Sequence, residues 1–504
     1  MKEVFNLSEF ESYREGNRLE VKKAEGGLPR NLWDSYSAMA NTYGGVIICG
    51  VGERSDGSWY TTGLTDAGRL LKSFWDQIHD NKKVNINLLK DSDVQLYSVG
   101  KDVIMVINVP RASRNQRPVF INNDIWNGTF RRNGEGDYHC SKSEIRGMLR
   151  DEPEETSDMV ILEDFSIEDL DAEAVHGYRN YHSSIRPGHV WEKLPDNQYL
   201  ERIGAVALLK SDGLLHPTAA GLLMFGNEYR IVRQFPEYFL DYREVLDPNL
   251  RWTDRIQSSS GDWTGNLFDF FFRVYNKLVR DIEKPFVLNG VSRVEDTPVH
   301  KALREALANC LSNADFYMPR GIVILKEAKQ IVLQNPGSIR TGKDQMIRGG
   351  ISDPRNKAIM KMFNMLSIGE RAGSGVPNIL SVWEEKGWER PSVEEQFNPD
   401  RTILTLPLME KAAEKTSGKN KRKKQAEKTS GKKQAKKTTL NKHLIIEFIN
   451  KSNVAGTEAV ADHIGLSLPR TRALISELVS EGLIKAEGEG RSRRYSIAEA
   501  KAKR

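Results

Sequence analysis

Two groups of side chains in this sequence have types and spacings that could do chemistry. The first begins with Glu15-Gly16-Asn17-Arg18-Leu19-Glu20-Val21-Lys22. Ser37-Ala38-Met39-Ala40-Asn41-Thr42-Tyr43-Gly44-Gly45 and the apolar run Val46-Ile47-Ile48-Cys49-Gly50-Val51 follow, with Glu53 just past the end. Carboxylates brought together bind Mg²⁺ or Mn²⁺, and the metal activates water and stabilises charge on a scissile phosphate. A lysine among them steadies the same charge. The second group starts in Arg304-Glu305-Ala306-Leu307-Ala308-Asn309-Cys310-Leu311-Ser312-Asn313-Ala314-Asp315-Phe316, where Glu305, Asn309 and Asn313 form one helical stripe. It continues through Asn335-Pro336-Gly337, Ser352-Asp353-Pro354-Arg355-Asn356 and Glu370-Arg371-Ala372-Gly373-Ser374-Gly375-Val376.

These side chains need elements to hold them. Alternation around Leu19 and Val21 predicts a strand with Glu20 and Lys22 on its opposite face. Residues 31–42 read as a helix that Gly44-Gly45 breaks before the strand from Val46. Phe130-Arg131-Arg132-Asn133-Gly134 reads as a basic strand, with a last helix from Ser141. Further on, Pro217–Gly226 is an apolar helix ending in glycine. Trp252, Trp263, Phe268, Phe270, Phe271 and Phe272 read as core, and Ile331-Val332-Leu333-Gln334 as a strand.

Composition sets outer bounds. The chain has 504 residues, 74 of them Lys or Arg and 69 Asp or Glu, for a net charge of +5. At about 100–200 residues per domain, three or four domains are expected. Mean hydropathy is −0.53 and no apolar run approaches membrane length, so a spanning helix is excluded. The start lacks the order of a signal peptide. Cys49, Cys140 and Cys310 lie far apart with no CxxC pair, which reads as reduced core thiols rather than a disulfide scaffold or cysteine-rich zinc site. A cytoplasmic protein is expected. Residues 411–442 hold 13 Lys or Arg and two acids, a local charge of +11. With Ala413–Lys419 repeated as Ala426–Lys432, this segment reads as a flexible linker: a solubilising spacer, an electrostatic arm for phosphates, or both.

Beyond the linker, Leu440–Ile449 has helical apolar spacing, and Thr457–Gly465 runs from a Thr cap to a Gly stop. Ser467 and Pro469 open a third helix. Its apolar face is Ala473, Leu474, Leu478 and Val479, with Arg470, Thr471 and Arg472 pointing elsewhere. Leu483–Glu487 and Arg494–Ile497 flank a hairpin with a basic tip. Three helices and a hairpin resemble a winged helix-turn-helix. That resemblance implies base contacts from Arg470 and Arg472 and backbone contacts from Arg491, Arg493 and Arg494, or else a docking or dimerising module.

The first group of motifs resembles the Schlafen AlbA-type domain across nearly all of residues 1–155. In nuclease members, two glutamates spaced like Glu15 and Glu20 and an acid after the G-V strand hold a divalent metal and cleave RNA. The resemblance therefore implies Glu15, Glu20 and Glu53 as Mg²⁺ or Mn²⁺ ligands, aided by Lys22, and Arg131 and Arg132 as nucleic-acid contacts. Glu53 stands where aspartate is usual, and the other reading is a domain that binds nucleic acid without cutting it. The second group resembles the RecG-like C-terminal domain of the GHKL ATPase superfamily. By that resemblance Glu305 polarises water, Asn309 holds Mg²⁺ beneath ATP, Gly373 and Gly375 approach the phosphates, and Asn313, Asn335 and Gly337 complete the site. Asn335-Pro336-Gly337 replaces the Asp-x-Gly-x-Gly that normally holds adenine; no Walker A motif is present.

The expected architecture is α+β multidomain: a Schlafen-type α/β module (1–155), a central α/β block (156–290), a GHKL-like α/β sandwich (291–408), a basic linker (409–438) and a C-terminal winged helix (439–500). It resembles bacterial ATP-binding, DNA-binding transcriptional regulators, some relatives of which act in phage defence. The expected function is an ATP-responsive regulator that binds DNA or RNA as a homo-oligomer. The alternatives are a metal-dependent endoribonuclease cutting tRNA or other structured RNA, and an oligomeric scaffold without catalysis.

Overall fold

The computed structural model describes residues 18–247, 249–280, 282, 288–289, 292–293, 297–369, 373–397 and 399–409. In the C-terminal part it describes 445, 448–449, 454–464, 471, 474–476, 478–479, 484–487 and 494–497. It is mixed α+β and multidomain, and divides into two units, residues 1–410 and 411–504. Among the described residues no helix is long and apolar enough to cross a membrane.

The first unit opens with a four-stranded sheet in the order Leu19–Lys22, Gly45–Cys49, Asp102–Val109, Val94–Val99. The first two strands are parallel and are joined by the helix Leu32–Asn41, as a parallel pair requires a crossover. The helix sinks into one face of the sheet, and all its residues except Asp34 are buried. Its core joins Ile47, Cys49, Met105 and Ile107; the other face gathers Val21, Val46, Ile48, Ile104 and Val106. The register pairs Glu20 with Ile47 and Lys22 with Cys49, so both polar side chains lie on the helix-covered face. Gly44 turns the chain between helix and strand at φ +72°. A Cβ there would stand 2.8 Å from the Val109 carbonyl oxygen, so only glycine fits.

Asn41 and Thr42 then fasten a distant strand. The Asn41 amide donates to the carbonyls of Val119 (2.8 Å) and Phe130 (3.0 Å), and its oxygen accepts from the Val119 N–H. The Thr42 hydroxyl accepts from the Arg132 N–H. Together they seat Phe130–Asn133 against the helix.

A second sheet has six strands in the order Asp254–Gln257, Leu240–Val245, Ile322–Glu327, Gln330–Pro336, Arg401–Pro407, Ser392–Gln396. Two of these strands precede residue 290, so the boundary expected there cuts through one sheet. Strand pairing, a non-local contact, joins what sequence order separates. The helix Pro298–Ser312 crosses this sheet almost wholly buried, packed among Leu267–Val279, Lys357–Met365 and Gly375–Glu385. Phe268, Phe270 and Phe271 enter that core, while Trp263 and Phe272 pack at its edge.

The second unit has a three-stranded sheet, Ala455–Gly456, Arg494–Ile497, Ile484–Glu487, with the helix Thr457–Ile464. Its core includes Ile445, Ile449, Val460, Leu474, Ile475, Leu478, Ile484 and Tyr495. Thr471 is fully buried, so the inward stripe is Thr471, Leu474, Ile475 and Leu478 rather than one that turns Thr471 outward.

Candidate functional site

The stripe of the Pro298–Ser312 helix faces a cavity with about 950 Å³ of empty space, part of it open to solvent. Glu305, Asn309 and Asn313 line one side. Leu333 and Asn335 line another with Leu404 and Thr402, their partners in register on the next strand. Alternation along the strand puts Leu333 and Asn335 on the helix-covered face, which is why two residues apart they share one cavity. Ile339, Met346 and Ile351 add apolar surface, and Gly373, Gly375 and Val376 close the far end.

Gly375 begins an eleven-residue helix directly against the stripe. A Cβ on it would lie 2.1 Å from Glu305 Oε1 and 2.9 Å from Asn309 Nδ2. Only glycine lets the helix N-terminus, whose first N–H groups have no partner inside the helix, come so close. Asn309 Nδ2 donates to Glu305 Oε1 at 3.0 Å, leaving the amide oxygen of Asn309 for another contact. Arg355-Asn356 supports the site from behind. Asn356 Nδ2 donates to the carbonyls of Ser312 (3.1 Å) and Ala314 (2.8 Å), satisfying carbonyls at the buried C-terminal end of the helix. Gly337 stands outside the cavity; at φ +97° it lies under the Arg355 guanidinium, where a Cβ would meet Nη1 at 2.3 Å. Cys310 lines the cavity, and burial pushes its thiol up to about 12, as it does for Cys49 and Cys140. All three cysteines are free and buried.

The N-terminal carboxylates are arranged differently. Glu20 is 9% exposed, and its oxygens meet Lys22 Nζ at 2.7 Å and Arg132 Nη2 at 2.7 Å. Arg132 also binds Asp137 (2.8 Å), which accepts from the Ser35 hydroxyl (2.6 Å). Burial, and then Asp137, hold the neighbouring Asp34 carboxyl above its usual range. Glu53 is exposed on the short strand Val51–Glu53, paired with Trp59–Thr61. Glu15 lies outside the described residues, among which no group of three His, Cys, Asp or Glu side chains is placed to hold a metal. Arg131 and Arg132, expected to face nucleic acid, point inward: Arg131 binds Glu144 at 2.7 Å and forks onto Asp400, with Phe397 against its guanidinium. Their charge is neutralised within the protein, because a buried guanidinium needs a carboxylate more than a solvated strand does. Arg494 is exposed; Arg470, Arg472, Arg491 and Arg493 lie outside the described residues.

Sequence reasoning missed the junction between these two regions. Arg111 Nη2 donates to the Ile339 carbonyl (2.8 Å) and Nη1 lies 3.6 Å from Glu395. Arg114 Nε donates to Asp353 (2.8 Å), which itself lines the cavity. Arg150 binds Asp315 (2.6 Å), and Arg355 holds Asp151 with two bonds of 2.8 and 2.7 Å. Arg340, another cavity residue, lies 3.4 Å from Asp353 and 3.8 Å from Asp151. The available signal was Arg111-x-x-Arg114-x-x-Arg117, three arginines at even spacing between two recognisable motifs.

Comparison with known proteins finds three matching family models. Residues 15–141 match a family model described as "Schlafen, AlbA_2", and residues 322–405 one described as "Putative ATP-dependent DNA helicase recG C-terminal". Residues 146–241 match a domain of unknown function. No curated protein matches the chain. Among solved structures, the DIP2311 protein from Corynebacterium diphtheriae is 16% identical over 95% of each chain, with a TM-score of 0.38. The N-terminal domain of a RecG-related protein from Nitrosomonas europaea is 23% identical, covering 24% of this chain and 81% of that one, with a TM-score of 0.19. The chain thus carries a Schlafen AlbA-type domain followed by a RecG-like, ATPase-like C-terminal domain.

Proposed function

We propose that this protein is a nucleic-acid-binding regulator, acting in transcription or phage defence, whose grip on DNA or RNA responds to ATP. The two matched domains suggest a nucleic-acid-related, ATP-associated function. The observation that carries the finer reading is Asp353: it lines the cavity and is bound by Arg114 of the AlbA-type domain. A ligand filling the cavity would press on a wall that the other domain holds.

The cavity suits a purine nucleoside triphosphate. Its apolar floor suits a base, Asn335 offers its amide oxygen to the base edge while its Nδ2 is held by the Asn313 and Pro336 carbonyls, and the helix beginning at Gly375 offers N–H groups to phosphate. Asn309 would give its free oxygen to Mg²⁺, and Glu305 would orient water. These assignments follow the GHKL pattern. The basic linker and a C-terminal winged helix would hold DNA through Arg470, Arg472, Arg491, Arg493 and Arg494, and pairing of the ATPase-like domain would make the protein a homo-oligomer. Binding ranks above cleavage because Lys22 and Arg132 already occupy Glu20.

Gel-shift titrations of DNA in EDTA, with rising salt, test the first half: affinity should survive EDTA and fall steeply with salt. ATP with Mg²⁺ should then shift that affinity in the wild type. In Arg114→Ala nucleotide should still bind while the shift disappears. DNA affinity indifferent to bound nucleotide would defeat the regulator. RNA cleavage that requires Mn²⁺ and is lost in Glu53→Gln would establish the endoribonuclease instead, and an oligomer by light scattering with no nucleic-acid binding would leave the scaffold.

A further inference from the structure

Behind the nucleotide cavity, and sharing only Ser338 with it, lies a second, smaller cleft with about 300 Å³ of empty space, part of it open to solvent. It sits where the AlbA-type domain meets the six-stranded sheet, lined by Arg114, Arg117 and Arg355 and by the carboxylates Asp151, Asp315 and Asp400. Arg117 is 3% exposed, and its Nε has no hydrogen-bond partner. The carboxylates around it are already held. Asp151 belongs to Arg355 and Arg340, Asp400 to Arg131, Asp315 to Arg150, and Glu395 to Arg111. Among the described residues, Arg117 is the one arginine of this junction that makes no ion pair.

A buried guanidinium with no ion pair of its own is unfavourable, because it loses its hydration and shares only the distant attraction of Asp151 and Glu395, carboxylates that other arginines already bind. Burial, and then the like charges of Arg111 and Arg131, outweigh the attraction of Asp151 and Glu395 and pull its pKa down to about 9, which still leaves it protonated at neutral pH. Arginine does not escape such a site by losing its proton, so the charge needs an external partner.

We propose that this cleft is a binding site for one small inorganic anion of about chloride size, with Arg117 as its principal ligand. Arg114 and Arg355 flank the position as further N–H donors, although each also serves a carboxylate. The anion completes the charge balance of the junction and braces the AlbA-type domain against the sheet.

The test uses the full chain, unfolded thermally in sodium gluconate, with chloride or phosphate substituted at constant ionic strength. The wild-type midpoint should rise by about 2–5 °C, growing with the logarithm of anion concentration above the dissociation constant. The anion that gives the larger rise at equal concentration binds more tightly and identifies the natural size. Arg117→Met should abolish the rise and, in gluconate, should be no less stable than wild type, because it removes an unpaired charge. Arg355→Met is the contrast, since losing a paired arginine strands Asp151. A wild-type midpoint indifferent to both anions would overturn the proposal without any variant. So would an Arg117→Met protein as crippled in gluconate as Arg355→Met, which would mean that Arg117 is paired within the protein.

Discussion

At the residue scale, the Glu20 carboxylate sits between Lys22 and Arg132 beneath a buried helix. Removing one member of a buried ionic cluster leaves the others uncompensated, which costs about 3–5 kcal/mol. Glu20→Gln is therefore expected to lower the unfolding free energy by that amount in urea titrations. Glu53→Gln, at an exposed position, should change it by less than about 0.5 kcal/mol. The difference matters for any cleavage assay, because an inactive Glu20 variant would not separate lost chemistry from a lost fold. Asn41 is a second case. Asn41→Ala leaves the Val119 N–H and the Phe130 carbonyl without this partner, while the Val119 carbonyl keeps the Ser37 hydroxyl, and at roughly 1–3 kcal/mol per buried unsatisfied group it should cost at least about 2 kcal/mol. Faster proteolysis of the AlbA-type domain would report it.

Among the elements, the close approach of two helices shapes the cavity that Glu305 and Asn309 line. Gly375 touches Glu305 and Asn309 so closely that a methyl group must push the Glu305 carboxylate and the Asn309 amide out of their present positions. At an exposed helical position Gly→Ala would stabilise. Here Gly375→Ala should weaken ATP binding at least about tenfold, roughly 1.4 kcal/mol, in titrations with a fluorescent nucleotide. Circular dichroism should show the helices retained. The even spacing of Glu305, Asn309 and Asn313 makes this stripe legible in the amino-acid sequence itself, since helical periodicity depends only on neighbours along the chain. Thr402 and Leu404 carry no such mark. They reach the cavity because Arg401–Pro407 pairs with Gln330–Pro336, and register across strands is a tertiary property.

For the whole molecule, the arginine-rich junction governs how the first unit answers to pH. Burial alone would raise the Asp151 carboxyl, but Arg355, Arg340 and Arg117 hold it below its usual range. A carboxyl depressed in the folded state adds stability above its unfolded value of about 3.9 and loses it as pH falls toward the folded value. The first unit should therefore lose stability on acidification below about pH 4, and Asp151→Asn, less stable at neutral pH, should show a shallower loss. The second unit contributes differently. Deleting residues 411–504 removes the +11 segment, so the salt dependence of DNA binding should flatten in gel-shift titrations while nucleotide affinity is unchanged.

The amino-acid sequence alone determined what local rules can determine. Motif order marked the AlbA-type and RecG-like domains, 3.6-residue spacing marked the Glu305 stripe, and charge density marked the 411–442 segment. Each depends on neighbours along the chain. The tertiary structure alone decided which charges meet. Arg131 and Arg132 read as a basic surface, yet only Asp137 among their partners is near in sequence; Asp400 is 269 residues from Arg131 and Glu20 is 112 from Arg132. The sheet likewise gathers strands from both sides of residue 290. Electrostatic pairing acts through space over a few ångströms, and a linear pattern holds no record of which distant carboxylate the fold will bring there.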